Sequence, residues 1–384
     1  MQNRTGKRHL EFFAQSLHPT PFLAVDLEIV RKQYCDIRTA LPEAHILYAV
    51  KANSHTDVVA TLVNAGCAFD VASRTELDLC LDLGADPLSI SCGNTVKRSE
   101  DIAQAFGRGV RLFAFDSAGE LAKIATAAPG SAVVCRILVD GAGARWPLSR
   151  KFGCQPDMAL DLLTRAVELG LEARGVSFHV GSQQLDPSRW HDALSTVAAL
   201  FGQARTRGLG LSLVNLGGGF PSRYDPEVRT IEEYAKEIRS ALHDAFGEKL
   251  PEVVVEPGRY IVGDAGVLRS RVLLVSRKSY TNPERWVYLD VGRFNGLAET
   301  ENEAIIYPLA TEKSDDSPLG PVVLAGPTCD SVDILYETNA PLLPLELAID
   351  DYVDFLHAGA YTAAYSTVGF NGFPPLLTYC FGGL

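Results

Sequence analysis

Short apolar runs recur between residues 46 and 261 and predict buried β-strands. Each run is apolar on both faces and is followed by a helix-like stretch, which is typical of parallel strands joined by crossover helices. Segments 75–85 and 156–171, for example, repeat apolar residues at three- and four-residue intervals, as amphipathic helices do. The eight runs are ILYAVKA (46–52), AFDVAS (68–73), LSISCG (88–93), LFAFD (112–116), VVCRILVD (133–140), GVSFHVGS (175–182), LVNLGGGF (213–220) and VVVEPGRYI (253–261).

Eight strand-and-helix units in succession predict an α/β protein with a (β/α)₈ barrel over residues 22–262. A doubly wound parallel sheet has the same alternation, and periodicity does not distinguish the two. The alternation of strand-like and helix-like segments ends after residue 263. Alternating or β-branched runs, such as 267–280 and 320–328, then lie between Gly, Pro and Asn clusters. These runs predict a C-terminal antiparallel β-domain over residues 263–384, joined by residues 1–21.

The composition is that of a globular protein large enough for two domains. The chain has 384 residues, of which 47% are hydrophobic and 21% charged, and a formal net charge of -12. Nucleic acids bind basic surfaces, so this charge argues against a nucleic-acid partner. It leaves a small-molecule substrate, and it suits a cationic one.

The location predicted from the sequence is the cytoplasm. The basic N-terminal stretch is not followed by the apolar region of a secretory signal, and no apolar run approaches the length of a membrane span. The eight cysteines lie far apart without a C-x-x-C pair, which predicts reduced thiols and no metal site.

The candidate chemistry lies where the apolar runs end, because the active site of such a barrel lies at the carboxyl ends of its strands. One rim would then carry a lysine, a histidine, acids, arginines and a glycine-rich turn. The residues concerned are Lys51, Asp70, Arg136, His179, Gly217, Gly218, Gly219, Glu256 and Arg259.

Two of these features suit a phosphorylated carbonyl cofactor. We expect Lys51 to be partly buried, which would lower its pKa and make the neutral amine available to form an imine. A rim lysine with its head in water is the alternative. The three glycines at 217–219 would let backbone N–H groups approach a phosphate, although a tight strand-to-helix turn needs such glycines too.

For the other candidate residues, an ordinary structural role is also an alternative to a role at a cofactor. Glu256 follows three valines, so it needs a cationic partner or a proton; a protonated pyridine nitrogen or Arg259 would serve. His179 could stack on a flat cofactor, transfer a proton or make a structural hydrogen bond. Taken alone, Cys329, Asp330 and Tyr361 are ordinary residues of the second domain.

Seven segments together resemble the ornithine decarboxylase family, within the alanine-racemase-like (fold-type III) pyridoxal-phosphate enzymes, and are most similar to its bacterial ornithine/lysine decarboxylases. They occur in family order from about residue 20 to the end of the chain, and the combination is far more specific than any one of them. The segments are YAVKAN (48–53), FDVASRTEL (69–77), GVSFHVGSQ (175–183), LGGGFP (216–221), EPGRYIV (256–262), GPTCDSVD (326–333) and GAYTAAYSTVGFNGF (359–373).

The resemblance implies a homodimer whose two active sites lie at the subunit interface and use pyridoxal 5′-phosphate. Lys51 would bind the cofactor covalently, Glu256 would pair with the ring nitrogen and His179 would stack on the ring. Cys329 would enter the partner's site and protonate the product, and Asp330 would hold the distal ammonium of the substrate. The remaining implied cofactor ligands are Asp70, Arg136, Ser182, Gly217, Gly218, Gly219, Gly258, Arg259 and Tyr361.

The reaction that the resemblance implies is decarboxylation of L-ornithine to putrescine and CO₂, a step of polyamine biosynthesis. Segment 288–300 contains a second candidate distal acid, Asp290, and looks more like bacterial enzymes that accept ornithine and sometimes lysine. Conversion of L-lysine to cadaverine is therefore also expected, and the preference between the two stays open.

Three alternatives remain. Alanine racemases of the same fold place an arginine against the ring nitrogen, and Glu256 argues against that chemistry. Decarboxylases of arginine or diaminopimelate act on substrates with a different distal end. A catalytically inactive relative that binds a regulatory protein would be expected to lose catalytic residues, whereas Lys51, Glu256, Cys329 and Asp330 are all present.

Overall fold

A computed structural model describes residues 4–15, 18–146, 151–313 and 316–383. The chain divides into two compact units. The barrel unit comprises Arg31–Pro221 and Arg229–Ile261, and the β unit comprises Met1–Val30, Ser222–Val228 and Val262–Leu384.

Some helices begin where a side chain accepts a free N–H group of the first turn. Ser73 accepts the N–H of Glu76 at the start of one helix, and Thr230 forms a reciprocal capping box with Glu233 at the start of another. In the described part of the chain, no helix combines the length and apolar composition that crossing a bilayer requires. The α-helices are α1 (Lys7–Gln15), α2 (Leu27–Ala40), α3 (Thr56–Asn64), α4 (Arg74–Asp82), α5 (Ser99–Gly107), α6 (Ala118–Ala127), α7 (Pro156–Glu168), α8 (Arg189–Thr206), α9 (Ile231–Phe246) and α10 (Arg259–Val262).

The strands form three sheets, and each of the eight predicted runs overlaps one strand of the barrel. The β-strands are β1 (Phe22–Asp26), β2 (Ala44–Ala49), β3 (Ala68–Val71), β4 (Ile90–Cys92), β5 (Leu112–Phe115), β6 (Ala132–Arg136), β7 (Ala144–Trp146), β8 (Glu172–Ser177), β9 (Ser182–Gln184), β10 (Leu213–Asn215), β11 (Glu252–Val255), β12 (Gly266–Ser276), β13 (Arg285–Leu289), β14 (Leu309–Thr311), β15 (Leu319–Ala325), β16 (Ile334–Tyr336), β17 (Leu342–Pro344), β18 (Tyr352–Phe355) and β19 (Leu377–Phe381).

The barrel unit contains a closed barrel of the strands β2, β3, β4, β5, β6, β8, β10 and β11, and β11 pairs with β2 to close it. Helices α3 to α9 connect successive strands. Leu47, Val134, Leu213 and Val254 pack together across the barrel, so the interior is a packed core. The predicted (β/α)₈ barrel is confirmed, and the doubly wound sheet is excluded because such a sheet is open.

The β unit contains a nine-stranded sheet whose main path runs β14–β18–β12–β13–β15–β16. Most neighbours are antiparallel, as predicted, but β1 pairs with β19 and β13 pairs with β15 in parallel. The predicted β-domain is therefore present, and its sheet is mixed rather than wholly antiparallel. The two strands of each parallel pair are not connected by a tight turn, so the local sequence pattern could not indicate their relative direction.

The start of the barrel unit differs from the expected boundary at residue 22. Strand β1 pairs with β12 and β19 and thus belongs to the sheet of the β unit. All five residues of β1 are buried, but this strand was not among the eight predicted runs, so its pairing within the β unit was not foreseen. Residues 1–3, 16–17 and 384 of the predicted β-domain lie outside the described residues.

Candidate active site

The carboxyl ends of the barrel strands carry the predicted polar residues at one end of the barrel unit. Because all eight strands are parallel, residues that follow them meet at the same rim. Electrostatic effects agree with this grouping. Beside the effect of burial, the charge of Glu256 raises the pKa of Asp70 and that of Lys51 lowers it. Beside the effect of burial, Arg136 and Lys51 lower the pKa of His179. The structure therefore brings these five side chains together.

Lys51 lies in a 3₁₀ turn, Val50–Ala52, that directly follows β2. Its side chain is exposed in this chain, so the expectation of partial burial was wrong. The reason is the turn, which takes the lysine off the packed strand while its neighbours Val50 and Ala52 stay buried. Gly258 packs closely against this turn, since a Cβ there would lie 2.9 Å from the Cβ of Ala52.

Glu76 is an acidic neighbour that the sequence analysis missed. Its Oε2 accepts the N–H of Ala72 at 2.7 Å, burial raises its pKa, and the charge of Lys51 lowers it. Ser73 and Glu76 have the spacing of a helix-capping pair, so the sequence offered a local explanation for this acid. The electrostatic interaction with Lys51 exists only in the folded barrel.

Asp70 is buried at the end of β3 and carries an oxygen, Oδ1, for which no hydrogen-bond partner is found in the described part of the chain. Burial raises the pKa of this carboxyl well above its ordinary value. Gly93 lies against it, since a Cβ there would be 2.1 Å from Oδ1. A buried oxygen without a partner costs about 1–3 kcal/mol, so this site suits a polar group of a bound molecule.

His179 is a neutral ring with a defined tautomer. Burial lowers its pKa well below the ordinary value. Its Nδ1 accepts the N–H of Gly181 at 3.0 Å, so the ring proton is on Nε2. Nε2 lies beside Gly218, where a Cβ would be 3.2 Å away. A flat neutral ring at this rim can stack on an aromatic cofactor.

The glycine-rich turn after β10 has no room for side chains. A Cβ on Gly217 would lie 2.2 Å from the carbonyl oxygen of Phe178, and φ at Gly217 is +66°. The same rim contains Arg259, only 3% exposed, whose Nη2 and Nε donate to Ser182 Oγ at 3.0 and 3.2 Å. The N–H of Gly217 is occupied by a side-chain oxygen, so a hydroxyl, a guanidinium and the N–H groups of the next two glycines would make a suitable site for a phosphate.

Glu256 follows β11 and accepts a hydrogen bond from Asn215 Nδ2 at 2.5 Å. Its negative charge, with that of Asp70, acts on Arg136, whose pKa burial lowers. A fixed carboxylate of this kind can hold a proton on a basic ring nitrogen. Together with the lysine, the imidazole and the anion site, it fits a flat phosphorylated pyridine.

Cys329 and Asp330 lie in a loop of the β unit and are both exposed. Asp333, buried and missed in the sequence analysis, holds this loop: its carboxylate accepts the N–H and hydroxyl of Thr328 and the N–H of Arg293. Asn371 accepts the N–H of Cys329 at 2.9 Å. The thiol and the acid thus project from a fixed loop.

The two other candidates in the β unit have different surroundings. Asp290 is half-buried after β13, burial raises its pKa, and its Oδ1 accepts the N–H of Arg271 at 2.9 Å. Tyr361 has a positive φ of +56°, which is uncommon for a residue with a side chain and marks a constrained loop.

We expect Gly217→Ala to destabilise the barrel by about 2–5 kcal/mol, from left-handed backbone strain plus overpacking. Gly208→Ala is the matched control, because Gly208 has φ of +77° but no heavy atom within 4 Å of an added Cβ. Its free energy of unfolding should fall only by the cost of the backbone strain, about 1–2 kcal/mol. Thermal unfolding measures both, and equal losses would contradict the close packing of this turn.

Comparison with known proteins gives one family and several relatives along nearly the whole chain. The family model "Pyridoxal-dependent decarboxylase, pyridoxal binding domain" matches residues 27–263. The lysine/ornithine decarboxylase of Selenomonas ruminantium is 34% identical over 96% of this chain and 91% of its own. Antizyme inhibitor 2 of Xenopus laevis is 36% identical over 92% of this chain and 79% of its own.

A solved structure extends the similarity to the fold. The arginine decarboxylase of Paramecium bursaria Chlorella virus, bound to agmatine, superposes with a TM-score of 0.89 and 29% identity. The match covers 97% of this chain and 99% of that one. The similarity therefore includes both units.

Proposed function

The chain belongs to the pyridoxal-dependent decarboxylases, and on that premise we propose that it converts L-ornithine to putrescine and CO₂, with L-lysine as a second substrate. The family makes it a pyridoxal-phosphate-dependent decarboxylase of a basic amino acid. The observation that carries the proposal is the set of Lys51, His179 and Glu256 at one rim of the barrel, beside a glycine turn that has no room for side chains.

The residues that would hold pyridoxal phosphate follow from the chemistry of each group. Lys51 offers an exposed amine for covalent attachment, and Arg259, Ser182 and the 217–219 turn would bind the phosphate. The neutral ring of His179 would cover one face of the pyridine. When bound, the cofactor supplies a conjugated electron sink for the bond to the carboxyl group.

Glu256 gives this site the electrostatics of a decarboxylase. A carboxylate beside the ring nitrogen keeps a proton there, and the protonated ring withdraws electrons most strongly. The positive charge of Arg136 offsets the neighbouring acids Glu256 and Asp70. This arrangement favours loss of CO₂ over racemisation.

Glu256→Ala should leave binding of the cofactor phosphate unchanged. It should raise the activation free energy of decarboxylation by about 2–4 kcal/mol, the loss typical of one preorganised electrostatic contact. Glu252→Ala is the control, because Glu252 begins the same strand and pairs with Arg174 away from the carboxyl end. Single-turnover rates compare the two variants. An unchanged rate in Glu256→Ala would remove this acid from the mechanism.

We further propose that Cys329 and Asp330 complete the site of a partner subunit in a homodimer. Both are exposed on a fixed loop, as residues that reach into another chain must be. The thiol would donate a proton to the product, and the Asp330 carboxylate would bind the distal ammonium. Asp290 suits that role less well, because its Oδ1 already accepts the N–H of Arg271 and burial raises its pKa.

The substrate is tested by measuring kcat/KM for decarboxylation of ornithine, lysine, arginine and diaminopimelate by the cofactor-loaded protein. We expect ornithine and lysine ahead of arginine and diaminopimelate, because a single distal ammonium matches a single exposed carboxylate. Arginine is the most informative alternative substrate, since the superposed viral enzyme is named an arginine decarboxylase. A higher kcat/KM for arginine or diaminopimelate would overturn the substrate assignment but not the reaction class.

The similarity to antizyme inhibitor 2 favours one second candidate, a protein that binds a regulatory protein without catalysis. The two functions differ in their need for Lys51. A catalytic chain should show a visible cofactor absorbance band that borohydride shifts, together with CO₂ release. A chain that binds a protein partner and shows neither signal would support the second candidate.

A further inference from the structure

Asn215, the last residue of β10, joins the phosphate-binding turn to the acid at the ring nitrogen. Its Nδ2 donates to Glu256 Oε1 at 2.5 Å, and its Oδ1 accepts the N–H of Gly217 at 2.9 Å. The side chain is buried, with 6% of its surface exposed. The N–H of Glu256 also donates to the carbonyl of Gly217 at 2.8 Å, so the three residues form one hydrogen-bonded unit.

The orientation of the amide follows from these contacts. A backbone N–H can only donate, so the atom of Asn215 that faces Gly217 must be the oxygen. The NH₂ group therefore faces Glu256, and an NH₂ group can only donate. A donor to a carboxylate is strongest when that carboxylate is charged.

We propose that Asn215 is a positioning residue that holds Glu256 as a charged acceptor aimed at the ring nitrogen of the cofactor. The proposal rests on the function proposed above for Glu256. A fixed donor distinguishes Glu256 from Asp70, the second acid of the rim, whose Oδ1 has no hydrogen-bond partner in the described part of the chain. Asn215 thereby acts on the ring through Glu256 without touching the cofactor.

The local turn does not explain the choice of asparagine. A side-chain oxygen that accepts the N–H two residues later is a common turn, and aspartate makes it as well as asparagine does. Only the NH₂ group, which the turn does not use, separates the two residues. Asn215→Asp therefore keeps the bond to Gly217 and replaces the donor to Glu256 with a second carboxylate.

The test compares two ligands of the protein stripped of cofactor: pyridoxal phosphate, and an analogue with carbon in place of the ring nitrogen. The wild-type protein should bind pyridoxal phosphate more tightly, because only that ligand offers a ring nitrogen to Glu256. Two carboxylates in contact cannot both stay charged, so Asn215→Asp should reduce this preference about tenfold, the size of one charge-assisted contact. Affinity for the analogue should change little.

Two further variants make the test specific. In the Glu256→Gln protein, Asn215→Asp should no longer change the preference, because the glutamine NH₂ can donate to the new aspartate. The double variant restores a donor and an acceptor between the two side chains, so it should fold even if Asn215→Asp alone does not. Asn282→Asp is the matched control: Asn282 is exposed, its oxygen accepts the N–H of Glu284 at 3.0 Å, and the exchange adds the same charge elsewhere.

An unchanged preference in Asn215→Asp would overturn the proposal, and so would an equal loss of affinity for both ligands, which is the result of a purely structural role. A wild-type protein without any preference would instead refute the role of Glu256 itself. Failure of the inference and failure of the proposed function are thus separate outcomes.

Discussion

Lys51→Ala should abolish decarboxylation and the visible absorbance band of the bound cofactor. The side chain lies exposed in the turn after β2 and, in the proposed site, would supply the amine to which the cofactor attaches. Lys51→Arg should be equally inactive, although it keeps the positive charge, because a guanidinium does not lose its proton in proteins. Assays of CO₂ release and absorbance spectra check both variants.

Lys32→Ala is the control for this experiment. Lys32 is an exposed lysine on α2 that pairs with Asp36 at 2.5 Å. Its removal should leave turnover within experimental error of the wild type. Near-normal turnover in Lys51→Ala would show that another group carries the cofactor.

Mixing inactive Lys51→Ala subunits with inactive Cys329→Ala subunits should restore activity. If each site combines Lys51 of one subunit with Cys329 of the other, a mixed dimer has one intact site and one doubly defective site. At full random exchange about half of the dimers are mixed, so roughly a quarter of wild-type activity should return. The exposed position of Cys329 on its loop is the structural reason to expect this arrangement.

The control for mixing is a second pair with both changes in one chain, Lys51→Ala with Cys329→Ala, exchanged against either single variant. No intact site can form in that mixture, so no activity should return. If the two single variants exchange subunits and still show no recovery, each site is built within one chain. The shared-site proposal would then fail, while the decarboxylase assignment would stand.

Those parts of the fold that depend on local pattern were predictable from the sequence. The three valines of β11, buried within the barrel, marked a strand whose both faces are covered. The pair of short strands β7 and β9 was missed, because the residues of β9 (Ser182–Gln184) are polar and show no apolar alternation. The expected boundary at residue 22 placed β1 with the barrel, because its pairing with the distant strands β12 and β19 is not visible in the local sequence.

The site could be predicted only where a polar residue interrupts an apolar run. Lys51, His179 and Glu256 stood out for that reason, although the exposure of Lys51 depends on a turn that periodicity does not describe. Asn215 also interrupts an apolar run and Asp333 directly precedes one, but neither position shows which groups its side chain binds. Their roles depend on hydrogen bonds to residues that folding brings near, and those partners are not visible in a linear pattern.

The central claim is that the chain removes the carboxyl group of a basic amino acid with pyridoxal phosphate held at the barrel rim. The most direct measurement follows L-ornithine labelled with ¹³C in its carboxyl group, incubated with the cofactor-loaded protein. We expect labelled CO₂ and putrescine in equal amounts, with the remaining ornithine still in the L form. Formation of D-ornithine without CO₂, or no change in the substrates of the panel, would contradict it.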